Sequence, residues 1–168
     1  MGYIDELRAL VGHRPLILVG AVVVVVDADG RILIQQRRFP YGRWGLPGGL
    51  MELGESVEDT ARRELFEETQ LTAGELKLIN IYSGPEQFIR AANGDEFYAV
   101  TTAFYTTEVE GELVIDPTEA LNFEYYHPSE LPEDMVKSHR RILQEFLERH
   151  YSVTQHLRGV DDDDESRN

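Results

Sequence analysis

Three glutamates in the middle of the chain have the spacing of one helix face. Glu64, Glu67 and Glu68 stand at positions i, i+3 and i+4, so in a helix their carboxylates share one side within a turn. Like charges at this spacing repel by roughly 0.2–0.5 kcal/mol per pair, so stability does not explain the pattern. Mg²⁺ commonly binds one or two carboxylates together with substrate phosphates. The spacing therefore indicates a divalent-cation site.

Each part of this segment also has a simpler interpretation. A glutamate-rich helix face is often only a solvated surface. Arg63 could be a surface ion-pair partner of these acids, and Gly48-Gly49 could be an ordinary turn. A plain cation-binding helix would leave Arg63 and the two glycines unexplained, so the residues indicate more together than each does alone.

The segment from Gly49 to Leu71, GLMELGESVEDTARRELFEETQL, closely resembles the Nudix box. The matching positions are Gly49, Glu55, Arg63, Glu64, Leu65, Glu67, Glu68 and Leu71. The preceding segment, WGLPGG, is also similar to the usual approach to that box. One position departs from the pattern, because Gln70 stands where the family has a second glycine. This predicts a left-handed residue at the helix end, at a cost of ~1 kcal/mol, or a different exit from the helix.

The resemblance implies both a fold and an activity. It implies the Nudix fold, an α+β domain in which a mixed β-sheet is sandwiched between α-helices. It also implies a hydrolase that cleaves the diphosphate linkage of a nucleoside diphosphate derivative by attack of water at phosphorus. The implied cofactor is Mg²⁺, for which Mn²⁺ can substitute. Cations would bridge the anionic substrate and the anionic side chains.

The resemblance also assigns roles to residues of the box. It implies that Glu64 and Glu68 are the central metal ligands and that Glu67 assists. It leaves open whether Glu64 is instead the general base. Arg63 would orient Glu64 and Glu67 by charge-assisted hydrogen bonds. The backbone carbonyl of Gly48 can serve as a further ligand.

The remaining residues of the predicted site lie around these ligands. Glu55 is expected near the start of the helix, close to Arg63 or to the metal. Gly49 is the first residue of the box and also belongs to the predicted site. Many members of the family add an acid from outside the box. Glu119 is the first candidate for that acid, as a ligand of a cation-bound water or as the base, and Glu86 and Glu96 are the alternatives. Each could also be a solvated loop residue.

The elements that must position these residues follow from hydrophobic periodicity and turn residues. Ser56 to Gln70 is predicted to be a helix with Ser56 as its N-cap. The other predicted helices are 1–12 and 134–151, and Arg38 to Leu53 is predicted to be loop. Two hairpins are expected, one across Asp29-Gly30 and one across Asn93-Gly94. The predicted strands are 16–26, 31–37, 75–82, 87–92, 95–108, 113–115 and 123–126.

Length and composition set the domain organisation. The 168 residues fit one domain over 1–157, with 1–14 as a helical extension and 158–168 as an acidic tail predicted to be disordered. There is no cysteine, which excludes a disulfide framework or a thiolate site. The longest apolar run, Leu16 to Val26, is shorter than the ~20 residues that span a bilayer. We therefore expect a cytoplasmic protein that does not enter a membrane.

The charge of the chain restricts its partners. The formal net charge is −15, and a surface this acidic repels the phosphate backbone of DNA or RNA. A small nucleotide-type substrate, approached through cations, remains compatible with it. A homodimer is left open by the sequence.

Several functional alternatives belong to the same resemblance. One is a pyrophosphatase that clears modified nucleoside triphosphates, and another is a non-catalytic module that senses a nucleotide. The complete set of box carboxylates with Arg63 argues against the sensing module. The window after the box, with Pro85, Gln87, Phe88 and Ile89, matches no subfamily signature, so the substrate is left unassigned.

Overall fold

A computed structural model describes residues 2–155 of the chain. Its helices are α1 (Tyr3–Val11), α2 (Val57–Thr69) and α3 (Lys137–Arg149). Its strands are β1 (Leu16–Val25), β2 (Ile32–Arg37), β3 (Trp44–Gly45), β4 (Gly48–Leu50), β5 (Thr72–Ala73), β6 (Lys77–Tyr82), β7 (Phe88–Arg90), β8 (Glu96–Thr106), β9 (Val109–Glu110) and β10 (Ala120–Tyr126). The predicted acidic tail, 158–168, lies outside the described residues.

A mixed sheet forms the centre of the fold. Its strands have the order β4-β1-β8-β6, with β7 paired to β8 as well. β1 runs parallel to β8 and antiparallel to β4. A second sheet has the order β10-β2-β3, and β5 pairs with β9. No helix within residues 2–155 is long and apolar enough to cross a membrane.

β1 explains why helices cover both faces of the sheet. Its side chains alternate between the two faces, and both are apolar. Val22, Val24 and Val26 pack in one core with α3, whereas Val23 and Val25 pack in the other core with α2. A strand that is buried on both faces has an uninterrupted run of apolar residues in its sequence. The predicted α+β fold, a mixed sheet between helices, is confirmed.

The helix that carries the three glutamates has the predicted start and end. Ser56 Oγ accepts from the Asp59 N–H at 3.0 Å, and Asp59 Oδ2 accepts from the Ser56 N–H at 3.0 Å, which makes a capping box. Gln70 ends the helix in the left-handed region with φ 64°. Of the two exits predicted for this position, the chain uses the left-handed residue.

Three local predictions are wrong. The strands β1 and β2 do not form a regular hairpin, because they pair into different sheets and only Val26 and Ile32 form a bridge. Arg38 to Leu53 is not all loop, since it contains β3 and β4. No strand occupies 113–115, and the short partner of β5 is β9 instead. The Asn93-Gly94 hairpin is confirmed by the antiparallel pairing of β7 with β8.

Candidate active site

The arginine of the box holds three glutamates and a backbone carbonyl. Arg63 donates to Glu55 from Nε, and from Nη2 to Glu55 Oε2 at 3.1 Å. Its Nη1 donates to Glu64 Oε1 at 2.9 Å and to Glu67 Oε2 at 3.2 Å, and Nη2 reaches the Leu50 carbonyl at 3.0 Å. The guanidinium thus fixes α2 to the end of β4. This arrangement orients the Glu64 carboxylate toward the cavity described below.

Glu55 is part of the support beneath this arginine. Its Oε2 also accepts from the Thr60 hydroxyl at 2.7 Å and from the Glu52 N–H at 3.1 Å. The hydrogen bond from Arg63 lowers the pKa of Glu55 to about 2. The carboxylate is therefore ionised at any pH near neutrality. Its hydrogen bonds are directed at Arg63 and the helix start, so it acts as a structural anchor of the arginine.

Glu68 is the most buried carboxyl of the box, with a relative exposure of 5%. Its Oε1 accepts from the Gly48 N–H at 3.1 Å, while its Oε2 is buried and has no hydrogen-bond partner within residues 2–155. Burial, followed by the charge of Glu64, raises the pKa of Glu68 to about 8. Burial likewise raises the pKa of Glu64. Two neighbouring carboxyls with raised pKa values resist carrying two negative charges unless a cation lies between them.

The two glycines of the approach segment allow this close packing. A Cβ on Gly49 would lie 2.3 Å from Glu64 Cδ, so any side chain there would displace the carboxylate. A Cβ on Gly48 would lie 2.2 Å from the Ala21 carbonyl oxygen, and Gly48 has φ 157°. The glycines therefore let β4 lie directly against β1 on one side and against α2 on the other.

One cavity of about 310 Å³ collects residues from four parts of the chain. Glu64 and Glu68 come from α2, Gly48 from β4, and Glu119 from the turn before β10. Glu119 is close enough to raise the pKa of Glu68. The remaining lining residues are Gln35, Arg37, Arg38, Phe39 and Thr118. Glu64, Glu68, Gly48 and Glu119 were predicted from the sequence to act together, and the fold brings them to the same cavity.

The other predicted acids lie elsewhere. Glu67 does not line the cavity, and its side chain is 55% exposed while it accepts from Arg63. Glu86 forms an ion pair with Arg141 at 2.7 Å, and Glu96 forms one with Arg90 at 3.4 Å. Neither of these two alternatives to Glu119 reaches the carboxylate cavity.

Several residues of the cavity and of its surroundings were missed by the sequence analysis. Arg37 and Arg38 bring positive charge to an otherwise acidic pocket, and Arg38 Nη1 donates to the Pro117 carbonyl at 2.7 Å. His139 was also missed; its Nδ1 accepts from the Leu46 N–H at 2.9 Å, which fixes the segment before Gly48 to α3. Burial lowers the pKa of His139 to about 3, so its ring is neutral. The sequence did contain one signal for the two arginines, since Arg37 and Arg38 are adjacent basic residues at the end of the predicted strand 31–37.

The donor set fits a divalent cation that keeps part of its water. No group of three or more His, Cys, Asp or Glu side chains in the described part of the chain is arranged as a ready-made metal site. Two carboxylates are nevertheless enough for Mg²⁺, which usually completes its coordination with water and substrate phosphates. The buried and unpartnered Oε2 of Glu68 is the oxygen that a cation would satisfy.

Comparisons with known proteins show which family the chain resembles and agree with its fold. The family model for the NUDIX domain matches residues 17–146. The chain is 31% identical over 76% of its length to a putative 8-oxo-dGTP diphosphatase of Bacillus subtilis, covering 78% of that protein. It is 30% identical over 76% of its length to an ADP-ribose pyrophosphatase of Methanocaldococcus jannaschii, covering 72% of that protein. The crystal structure of a MutT NUDIX hydrolase from Burkholderia pseudomallei matches with a TM-score of 0.67 and 28% identity, over 77% of this chain and 98% of that one.

Proposed function

The chain belongs to the Nudix hydrolase family, and we propose that it cleaves the diphosphate linkage of a nucleoside diphosphate derivative by Mg²⁺-dependent attack of water at phosphorus. Its activity as a Nudix pyrophosphohydrolase on nucleotide derivatives is supported by the relatives named above. The dependence on Mg²⁺ and the roles of individual residues are the proposal. The observation that carries it is the buried Glu68 oxygen without a partner, beside Glu64 and Gly48.

The cation-binding residues in this proposal are Glu64 and Glu68, with the Gly48 carbonyl as a further ligand. Mg²⁺, or Mn²⁺ in its place, would supply positive charge to the diphosphate and to the oxygen that leaves. Binding would keep both buried carboxyls ionised, because a cation offsets the burial and mutual repulsion that raise their pKa values.

Arg63 is a positioning residue in this reaction. It holds Glu64 through Nη1 and anchors to Glu55 through Nε, so Glu64 cannot turn away from the cavity. It also keeps Glu67 beside the ligands, from where Glu67 can assist through a water molecule. Preorganised ligands lower the cost of reorganisation when charge develops in the transition state.

Glu119 supplies the proton acceptor of the proposed mechanism. It lies on the turn formed by residues 117–119 and lines the cavity, and it forms no ion pair within residues 2–155. A loop carboxylate there can accept a proton from the attacking water within the same cavity. Glu64 is the competing base, and the comparison of Glu119 with Glu124 described in the Discussion separates the two.

Two substrate classes are favoured by specific observations. The relative from Methanocaldococcus jannaschii is named for ADP-ribose, a nucleoside diphosphate derivative, and the relative from Bacillus subtilis for 8-oxo-dGTP, a modified triphosphate. We rank the diphosphate derivative first. Arg37 and Arg38 offer positive charge on the lining of the same cavity, where they could contact phosphoryl groups.

A turnover screen tests the proposal. Wild-type protein and Glu68→Gln would be incubated with Mg²⁺ or Mn²⁺ and with ADP-ribose, diadenosine polyphosphates, nucleotide sugars, NADH, dGTP or 8-oxo-dGTP. Reaction in H₂¹⁸O would place the label on a phosphate product if water attacks phosphorus. Turnover of ADP-ribose-type substrates by the wild type alone is expected. Absence of turnover with every substrate and both cations would overturn the proposal, and preference for 8-oxo-dGTP would select the second class.

A further inference from the structure

A second concave surface lies between the start of α3 and the 3₁₀ helix Pro85–Gln87. It is a cavity of about 590 Å³, and its lining includes Glu86, Gln87, Lys137, Ser138, Arg140 and Arg141. A neighbouring cavity of about 360 Å³ shares Gln87 and Arg141 with it. Neither shares a lining residue with the cavity that holds Glu64 and Glu68. The surface is therefore separate from the carboxylate site.

Gln87 contributes to this surface a side-chain amide that can bond to a ligand. Its relative exposure is 6%, yet its side-chain amide makes no hydrogen bond with any described residue. The side chain lines both cavities. Its amide atoms are not among the fully buried atoms of residues 2–155 that lack a partner, so they reach the water of the two cavities. A ligand in the cavity would take the place of that water at the amide.

The charge of the larger cavity is opposite to that of the whole chain. Lys137 makes no ion pair within residues 2–155, and Arg140 donates to backbone carbonyls and to no acid. Arg141 pairs with Glu86 at 2.7 Å, where both side chains are exposed. Exposed pairs of this kind contribute little and can exchange partners. Three cations thus face one acid in a chain whose net charge is −15.

The helix end at this cavity adds donors. α3 begins at Lys137, its N-cap residue Val136 provides no side-chain hydrogen bond, and its first turn contains no acid. The first N–H groups of a helix have no partner within the helix, and together with the helix dipole they favour an anion. The Ser138 hydroxyl lies at the same place on the lining.

We propose that this cavity binds a phosphate group without a divalent cation. Lys137 and Arg141 neutralise the charge of the phosphate, and the Gln87 amide donates a hydrogen bond to it. The phosphate belongs either to free inorganic phosphate or to a mononucleotide. Binding requires neither a metal nor turnover, so this proposal stands or falls independently of the proposed hydrolase mechanism.

Calorimetry on metal-free protein tests the proposal. Inorganic phosphate and, separately, AMP would be titrated into the full chain in excess EDTA. Both should bind the wild type, and the Lys137→Gln/Arg141→Gln variant should bind at least tenfold more weakly. Arg90→Gln, which removes an exposed arginine paired with Glu96, is the matched control and should bind as the wild type does. Equal binding by the double variant, or no binding by the wild type at millimolar ligand, would overturn the proposal.

A substitution of Gln87 separates a ligand-binding role from a structural one. Gln87→Leu keeps the approximate size of the side chain and removes an amide that makes no hydrogen bond within residues 2–155, so its melting temperature should stay close to that of the wild type. Its phosphate affinity should nevertheless fall several-fold. A lower melting temperature with unchanged affinity would show that the amide serves the fold and would contradict the assignment.

The two phosphate sources differ in their kinetic effect. If the phosphate is that of a mononucleotide, inhibition of turnover by added AMP should weaken in Lys137→Gln/Arg141→Gln. If it is free phosphate, inhibition by added inorganic phosphate should weaken instead. Tighter binding of AMP than of inorganic phosphate would point to the nucleotide.

Discussion

The carboxyl group of Glu68 is bound on one side only, by the backbone N–H of Gly48. That N–H lies 3.1 Å from Oε1, whereas Oε2 is buried without a partner in residues 2–155. Gly48 belongs to β4 and Glu68 to α2, so this hydrogen bond joins the approach segment to the helix. Glu68 lines the same cavity as Glu64 and Glu119. In the proposed mechanism a cation is the partner of the unsatisfied oxygen.

Replacing Glu68 by glutamine should abolish most turnover and leave the fold intact. The substitution keeps the shape of the side chain but removes the charge that we assign to cation binding. Loss of such a contact commonly costs ~10²–10³ in kcat. Steady-state kinetics with circular dichroism would measure both effects. A folded variant with the wild-type kcat would remove Glu68 from the proposed site.

Removal of the cation by a chelator should also stop turnover, because it breaks the proposed contact between the cation and Glu68. Excess EDTA should stop hydrolysis of any substrate, and added Mg²⁺ or Mn²⁺ should restore it, because the clustered carboxylates repel a diphosphate unless cations lie between them. Hydrolysis rates measured while Mg²⁺ is titrated into metal-free protein would give the cation dependence. Turnover that persists unchanged in EDTA would contradict the Mg²⁺-dependent mechanism.

The raised pKa of Glu68 predicts a pH dependence of stability in metal-free protein. Its pKa is about 8 in the folded chain, compared with an ordinary value of 4.5. Between these values the folded state binds more protons than the unfolded state, so stability falls as pH rises through this window. Glu68→Gln cannot lose a proton there. The melting temperature of the variant minus that of the wild type should therefore increase from pH 5 to pH 8. A difference that stays constant would contradict the raised pKa of Glu68.

The parts of the site that could be predicted are those fixed by local sequence. The i, i+3 and i+4 spacing of Glu64, Glu67 and Glu68 needs only one helix, and Ser56 with Asp59 sets where that helix begins. The position of Glu119 followed from the resemblance and from the turn before β10. The helix contacts depend on short-range geometry, which residue types determine directly, whereas the approach of Glu119 to Glu68 was expected only from the resemblance.

The wrong and missing predictions involve contacts distant in sequence. The hairpin of β1 with β2 was predicted from its turn residues, but β1 is apolar on both faces and is better buried between β4 and β8. His139 and Gln87 were not identified, because their roles depend on neighbours that only the fold brings near. Periodicity gives the face on which a side chain lies, but not the residue from another element that meets it.

A methyl group at Gly49 should displace the Glu64 carboxylate. Its Cβ would lie 2.4 Å from Glu64 Oε1, whereas the backbone of Gly49 is not in the left-handed region and accepts alanine without strain. Gly49→Ala should therefore lower kcat by about tenfold or more, since small displacements of positioned groups have large effects. Enzyme assays with thermal melts would measure this.

The control for that variant is Gly12→Ala. Gly12 has φ 66° and no atom within 4 Å of an added Cβ, so alanine there adds backbone strain without a clash. It should lower stability by ~1–3 kcal/mol and leave kcat unchanged, because Gly12 has ψ −141° and lies outside the regions that alanine ordinarily adopts. Equal loss of kcat in both variants would show that the effect at Gly49 is not specific to Glu64.

Glu119→Gln should lower kcat more than Glu124→Gln does, with little change in KM. Glu119 lines the carboxylate cavity and acts on the pKa of Glu68, whereas Glu124 is exposed on β10 and accepts from the Tyr126 hydroxyl at 3.0 Å. If Glu119 takes the proton of the attacking water, its loss should cost ~10²-fold or more in kcat and remove the acidic limb of the pH–rate profile. Both variants keep the charge change and the side-chain size the same, so they differ only in position. Equal rates would assign the base to another residue, and Glu64 would then be the remaining candidate in the cavity.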